Sequence, residues 1–367
     1  MKSLEEYVLP WVREAQPYSV KHMQFAWSHP EVLRMMSNEN PLPPSPPVLE
    51  AIMAAARQGN LYPDSGPRLR RKLGEAAGLS EDNVILGNGS TDIINILIAT
   101  FAGPGDEVLI PVPTFSMYEA RARACGAIPV FVPLREDFSW DVDAILRSIT
   151  DKTKLIFLCS PNNPTGVQMP LDELLRILET GVPTVVDEAY YELEDEPKTL
   201  AYLIKEHPNL IISRTFSKAY GLAGLRVGYA LADARLIDYM NRVRLPWNVS
   251  LLALAAAEAA FDDKEGLDLR RRTIIQGREY LQKEINAIPG LRAFPSEGNF
   301  VLIDASSLGR DSQEIVDELI RRGVFIRPMS PHHMKKGFIR VTVGTPEQNE
   351  QFIRILREYI AELRASG

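Results

Sequence analysis

Lys218 is placed where a lysine could do covalent chemistry. It follows a short apolar run and a cluster of hydroxyls, in Ser213-Arg214-Thr215-Phe216-Ser217-Lys218. It precedes the glycine-punctuated stretch Gly221-Leu222-Ala223-Gly224-Leu225-Arg226-Val227-Gly228. A lysine kept dry at a strand end loses its proton more easily, and the neutral amine can form an imine with an aldehyde. Arg226 stands close enough downstream to meet an anion near the same place. The ordinary alternative is a solvated surface lysine; the apolar approach and the flanking glycines argue against it.

Three further segments carry unusual sequence at the ends of apolar runs. Gly87-Asn88-Gly89-Ser90-Thr91-Asp92 leads into a helix over Ile93–Phe101. Its glycines permit close backbone approach, and a helix start offers free N–H groups to a phosphate. A plain capped helix start reads the same way. The turn is not GxGxxG, and GxxxxGK[ST] does not occur, so dinucleotide-fingerprint and P-loop readings lose support. Ser160-Pro161-Asn162-Asn163-Pro164-Thr165-Gly166 is either a rigid turn that aims an amide or a plain strand-to-helix turn. Pro183-Thr184-Val185-Val186-Asp187-Glu188-Ala189-Tyr190-Tyr191 ends an apolar strand on a carboxylate. That carboxylate is costly unless it meets a cation, from a structural salt bridge or from a protonated ring nitrogen. A phosphate cradle, an acid for a pyridinium, an aimed amide and tyrosine, and an imine-forming lysine have one economical explanation, a pyridoxal-phosphate site.

The elements around these segments alternate. Short apolar runs at Val84–Leu86, Glu107–Ile110, Ala127–Val132, Leu155–Leu158, Thr184–Val186, Leu210–Ile212 and Val227–Ala230 are separated by helical stretches. This pattern predicts an α/β fold: a mostly parallel seven-stranded sheet covered by helices on both faces. Residues 48–265 form this large domain. Residues 1–47 read as an N-terminal arm packing on a small domain; Pro41, Pro43, Pro44, Pro46 and Pro47 predict an extended, helix-free stretch there. A helix is expected over Val48–Gln58, and residues 235–290 read as helical. Residues 266–367 form a smaller α+β C-terminal domain, with strands at Phe300–Ile303, Val324–Ile326 and Phe338–Val343 and a closing helix over Glu350–Leu363.

Composition excludes several classes. A net charge of −7 argues against a general nucleic-acid surface. The apolar runs fall far short of the ~20 residues a membrane helix needs. The N-terminus lacks a signal-peptide apolar stretch. Cys125 and Cys159 sit in apolar surroundings and read as buried free thiols, which fits a reducing, cytoplasmic setting. His332 and His333 lack the companion pattern of a metal site, so no metal is expected.

Most of the chain is similar to fold-type I pyridoxal-phosphate aminotransferases of class I and II. The matching segments are GNGSTDII, SPNNPTG, VVDEAYYE and RTFSKAYGLAGLRVGY. Within that class the chain most resembles histidinol-phosphate aminotransferases, through Ser37-Asn38-Glu39-Asn40-Pro41, Pro113-Thr114-Phe115-Ser116-Met117-Tyr118-Glu119, Arg244-Leu245-Pro246-Trp247-Asn248-Val249, Asn299-Phe300-Val301-Leu302 and Ile339-Arg340-Val341-Thr342-Val343-Gly344-Thr345. The resemblance implies catalytic roles for Lys218, which carries the cofactor and shuttles the proton, for Asp187 at the pyridine nitrogen and for Tyr190. Tyr190 and Asn163 would bind the ring oxygen. Ser90, Thr91, Thr215, Ser217 and Arg226 would hold the cofactor phosphate, with Gly89 in the same segment. Phe115 would stack on the ring, where the family usually has tyrosine. Tyr62 would reach the phosphate of a neighbouring subunit, which implies a homodimer with shared sites. Arg340 would take the substrate carboxylate or an equivalent anionic end. Arg327 would grip a distal anion with help from Tyr18, and Asn38 would line the substrate site.

The implied reaction is ping-pong amino transfer between an anionic amine, L-histidinol phosphate, and 2-oxoglutarate. An aromatic or other amino-acid aminotransferase and a related phospho-amino-acid decarboxylase are the alternatives. A non-enzymatic cofactor-binding protein would have little need of Lys218, Asp187 and Arg226 together. The loop Met329–Gly337 departs from the glycine-rich loop usual in the family by being basic.

Overall fold

The computed structural model describes residues 3–365. Its strands are β1 (Leu33–Arg34), β2 (Val84–Gly87), β3 (Glu107–Val112), β4 (Ile128–Pro133), β5 (Thr153–Cys159), β6 (Thr184–Asp187), β7 (Leu210–Thr215), β8 (Gly228–Leu231), β9 (Arg292–Ala293), β10 (Phe300–Asp304), β11 (Val324–Phe325), β12 (Arg327–Pro328) and β13 (Phe338–Thr342). Seven of them form one sheet in the order β2-β8-β7-β6-β5-β3-β4. Only β8 runs against its neighbours β2 and β7; the other pairings are parallel. The alternating pattern read from the sequence therefore corresponds to the sheet that forms.

The strands are near-continuous apolar runs because both faces are covered. Successive side chains point to opposite faces, and the packing follows that period. Ile156, Leu158, Val186 and Ile212 join one core with Val48, Leu69, Leu174 and Ala253. Leu155, Phe157, Val185 and Ile211 join the other with Ile94, Tyr118 and Ile237. Among the described residues no helix is long and apolar enough to cross a membrane.

Three sequence expectations need correction. The proline stretch is not helix-free to its end: a helix begins at Pro46 and runs to Ala56. Proline suits the first helical turn, where its missing N–H would have no partner. The helical region after 234 is three helices, Ala234–Val243, Leu251–Asp262 and Lys264–Asn286. The run Val324–Ile326 ends as a strand at Phe325: β11 pairs with β1, the chain leaves the strand at Ile326, and Arg327–Pro328 then pair with β13 as β12.

The C-terminal part holds the antiparallel sheet β12-β13-β10-β9. Its core unites Val301, Ile303, Val341, Phe352 and Leu356 with Ala26, Val32, Met35 and Met36 of the arm. Earlier in the arm, Trp11 lies against Gly126 beside the large sheet. The arm thus touches both parts of the molecule. The long helix Lys264–Asn286 ties them together through arginines. Arg278 donates to the carbonyls of Leu193 and Gly298, both at 3.0 Å, and pairs with Asp195 at 2.6 Å. Arg271 donates to the carbonyls of Glu192 and Glu194. These bonds hold the segment that follows β6, at the edge where Asp187 and Tyr190 lie.

Arg278→Met keeps the stem and strands two buried carbonyls, so a loss of roughly 3 kcal/mol in stability is expected. Urea unfolding measures it, and an unchanged midpoint would contradict the bridging role.

Candidate active site

Parallel strands end at one edge of a sheet, and that edge is where this chain collects its chemistry. β2, β5, β6 and β7 finish there at Gly87, Cys159, Asp187 and Thr215. β8 runs the other way, so its start lies at the same edge and brings Arg226 with it. A cavity of about 550 Å³ opens at this edge, between the sheet, the arm and the small antiparallel sheet.

One end of the cavity is built for an anion. The helix Ser90–Phe101 points its free N–H groups at it. Gly89 sits at φ +79°, with the Arg226 guanidinium where a Cβ would be. A Cβ on Gly228 would collide with the backbone nitrogen of Ser90. The two glycines let three pieces of chain close on one point. The Ser217 N–H donates to Thr215 Oγ1 at 3.1 Å, and Thr215 Oγ1 donates to Ser217 Oγ at 2.9 Å. Arg226 has no carboxylate partner among the described residues; it reaches the Ala223 carbonyl at 3.1 Å.

Asp187 lies deeper. Tyr118 donates to its Oδ2 at 2.7 Å and the Ala189 N–H to its Oδ1 at 3.2 Å. Burial raises its pKa to about 6 despite those bonds. Lys218 points into the same space and donates to the carbonyls of Asn38 at 2.8 Å and Ser37 at 3.3 Å. Burial lowers its pKa to about 7, with Arg340 and Arg226 helping and Glu39 opposing. The ring of Tyr190 is 5.7 Å from the amine.

Asn38 joins the arm to the site. It donates to the Tyr190 hydroxyl at 3.0 Å, its backbone N–H donates to Thr342 Oγ1 at 2.9 Å, and its carbonyl accepts from Asn299 at 3.0 Å. Arg340 donates to Asn163 Oδ1, and at 2.8 Å to the Met36 carbonyl. Its Nε is buried without a partner. Arg327 lies directly opposite Arg340 across the antiparallel β12–β13 pair. Burial and Arg327 bring the Arg340 pKa down to about 10. Like charges facing each other on neighbouring strands are unfavourable unless an anion comes between them.

Most of the residues singled out from the sequence meet in this cavity: Tyr18, Asn38, Ser90, Thr91, Phe115, Asn163, Asp187, Tyr190, Thr215, Ser217, Lys218, Arg226, Arg327 and Arg340. Gly89 braces Arg226 from behind. Tyr62 is elsewhere, 79% exposed and stacked on Trp247 at 4.5 Å. Residues 30–356 match the family of class I and II aminotransferases.

This chain belongs to the class I and II aminotransferases.

It is similar to the histidinol-phosphate aminotransferase of Moorella thermoacetica, at 40% identity over 96% of this chain and 94% of that protein. The Methanosarcina mazei protein of the same name is 42% identical over 88% and 87% of the two chains. A crystal structure of the Sinorhizobium meliloti histidinol-phosphate aminotransferase, in complex with pyridoxal-5'-phosphate, has a TM-score of 0.87 at 27% identity and covers 97% of this chain and 98% of that one. The L-threonine-O-3-phosphate decarboxylase of Porphyromonas gingivalis shares the fold, with a TM-score of 0.79 at 23% identity over 90% of this chain and all (100%) of that one.

The aminotransferase's cofactor is pyridoxal 5'-phosphate, and the residues present fit it. The glycine-lined cradle with Arg226 suits the phosphate. Asp187, buried and in no ion pair among the described residues, suits a protonated ring nitrogen. Lys218 supplies an amine with a low pKa at the site edge. Among the described residues no group of three or more His, Cys, Asp or Glu could hold a metal ion.

Reasoning from the sequence missed several contributors. Tyr118 comes from a helix whose register against β6 no local pattern reveals. Thr342 and Asn299 act on Asn38 across the small sheet. His22 and His332 line the cavity although they are far apart in the chain. The backbone carbonyls of Met36, Ser37 and Asn38 carry no sequence signal at all.

The neutral amine is the reactive form of Lys218. Attachment of added pyridoxal phosphate to cofactor-free protein should therefore speed up with pH and level off above about 7. Borohydride trapping and mass spectrometry follow it. A rate still rising near pH ~10, as for an ordinary lysine, would contradict the desolvated site.

Proposed function

We propose that this aminotransferase takes the amino group of an anionic amine, L-histidinol phosphate, and passes it to 2-oxoglutarate in a ping-pong sequence. The observation that carries the reading is the Arg327–Arg340 pair. Both guanidinium groups face the cavity from opposed strands, with no carboxylate partner among the described residues. Such a pair suits a donor with an anionic end. The name shared by relatives at 40% and 42% identity supports the same substrate.

Bound pyridoxal phosphate supplies an electron sink for the carbon that bears the amino group. The residues of this chain do the rest. Lys218, with its low pKa, takes a proton from that carbon and returns it on the other side of the exchange. Asp187 holds the ring nitrogen protonated, which relieves its own desolvation. Tyr190, steadied by Asn38, and Asn163 would bind the ring oxygen. Phe115 would lie against the ring. Arg226, Ser90, Thr91, Thr215 and Ser217 would hold the phosphate. Arg340 takes the substrate carboxylate or the equivalent phosphate end of an ester. Arg327, opposite it, takes another face of that anion or, in a dicarboxylate, the distal one, with Tyr18 closing from the arm.

A homodimer with shared sites belongs to the same reading. Tyr62 stands on an exposed apolar surface with Leu61, Leu245 and Trp247, which supports a second copy seated there and Tyr62 reaching its cofactor phosphate. The division into an arm (1–47), a large domain (48–265) and a small domain (266–367) belongs here too. So does a cytoplasmic setting, which suits the two free cysteines.

The purified holoenzyme given L-histidinol phosphate alone should convert its cofactor to the pyridoxamine form, read by absorbance. No spectral change would remove this substrate, and carbon dioxide released from a phospho-amino acid without an oxo acid would indicate a decarboxylase. Lys218→Ala should abolish turnover while the fold is kept, as far-ultraviolet circular dichroism reports; retained turnover would refute the assignment. Arg327→Ala should weaken a phosphorylated donor by roughly 2–3 kcal/mol relative to an uncharged one, the loss of a charge-assisted bond. Equal losses in kcat/KM for both donors would release Arg327 from that role.

A further inference from the structure

Two histidines face the distal end of the cavity, and the reaction as described does not use them. His22 comes from the arm helix Lys21–Ser28, and His332 from the basic loop after Met329. Both line the cavity beside Arg327 and Arg340. Neither imidazole has a hydrogen-bond partner among the described residues, although both are partly buried. His333, the next residue, turns away to Glu119 at 3.4 Å and to the ring of Phe131. The loop therefore aims one imidazole inward and one outward.

The arginines alone do not saturate a phosphoryl group. Arg340 commits Nη1 to Asn163 and Nη2 to the Met36 carbonyl, and keeps only Nε unpaired. Arg327 can fill one edge of a phosphate with its planar fork. A phosphate ester has three terminal oxygens, each able to accept more than one bond, so part of its surface would remain without donors. A carboxylate has two oxygens, and the fork bonds each of them once, so fewer acceptor sites are left over.

We propose that His22 and His332 complete the distal pocket as donors to a phosphoryl group, and so select a phosphate ester over a carboxylate. The inference rests on the phosphorylated-donor reading above and adds the residues that make it selective. The groups facing His332 are Arg327, Arg340, His333 and His22; those facing His22 are Arg327 and Arg340. All are basic. With no anion in place, burial and these arginines hold both imidazoles neutral, at pKa values of about 4. A doubly charged anion between them reverses the balance and favours proton uptake by the rings. The pocket then carries two permanent positive charges and two recruited by the ligand.

The test uses the holoenzyme, His22→Asn, His332→Asn and the milder His332→Gln. Cofactor absorbance and circular dichroism report that each variant is folded. For each, kcat/KM is measured with L-histidinol phosphate and with unphosphorylated L-histidinol. The ratio of the two values should fall about tenfold in His332→Asn and in His22→Asn, mainly through KM, as loss of one hydrogen bond to a charged group requires. An unchanged ratio would overturn the proposal. Competitive inhibition by sulfate, which keeps its double charge throughout, should strengthen as pH falls from about 8 to about 6, and less so in the double variant. Equal pH dependence in both proteins would also overturn it. Failure of the substrate reading is a separate result: the unmodified holoenzyme would not react with L-histidinol phosphate, whereas sulfate inhibition could still be measured with another donor.

Discussion

Charges held near one cavity without counter-charges of their own are the constraint around which the molecule is organised. Among the described residues, Asp187 (3% exposed) has no cation in ion-pair contact and Arg340 (7% exposed) no anion. Isolated buried charges cost several kcal/mol each. The shifts at Asp187, Lys218 and Arg340 all run toward the neutral form, which is that cost seen through proton binding. Elsewhere buried charge is handled in two ways: Glu192, buried with neither carboxyl oxygen bonded, has its pKa raised to about 8 by burial, while other groups are paired. Arg214 and Glu188, on either side of the same sheet edge, are joined at 2.7 Å and nearly unexposed. The Arg214–Glu188 pair is a structural charge with its partner within the chain, whereas Asp187, Arg226 and Arg340 face the cavity, where a partner can arrive from outside.

Two apolar cores on either face of the large sheet hold this arrangement open. Parallel pairing sends the ends of β2, β5, β6 and β7 to one edge, and the antiparallel β8 returns Arg226 to it. The arm then crosses over. Met36, Ser37 and Asn38 present successive carbonyls to Arg340, Lys218 and Asn299. The arm residues that reach the site are packed into the core of the small sheet. Any movement of that sheet relative to the large one is therefore felt at the amine of Lys218.

Much of this was legible in the sequence. The strand runs were visible because a sheet covered on both faces needs continuous apolar stretches. Gly89 and Gly228 were visible as punctuation, and the structure supplies the reason: a Cβ at either would displace Arg226 or the backbone of Ser90. Helix boundaries were less legible. Pro46 looked like part of an extended stretch, because proline reads alike in an extended segment and in a first helical turn. The break after Phe325 and the change of partner at Arg327 were hidden, since the apolar run continues through Ile326 although that residue joins neither sheet.

The sequence by itself determined the chemistry: a lysine after an apolar strand, an acid ending another and an arginine among glycines have few other uses in combination. Those signals survive in one dimension because each depends on its immediate neighbours along the chain. Tertiary structure alone decided which groups share a charge environment. It set Arg327 opposite Arg340, brought His22 from the arm to His332 on a distant loop, and left Tyr62 on the outer surface. Coulombic and hydrogen-bonding partners are chosen by distance in space, over a few ångströms, and chain order carries almost none of that information.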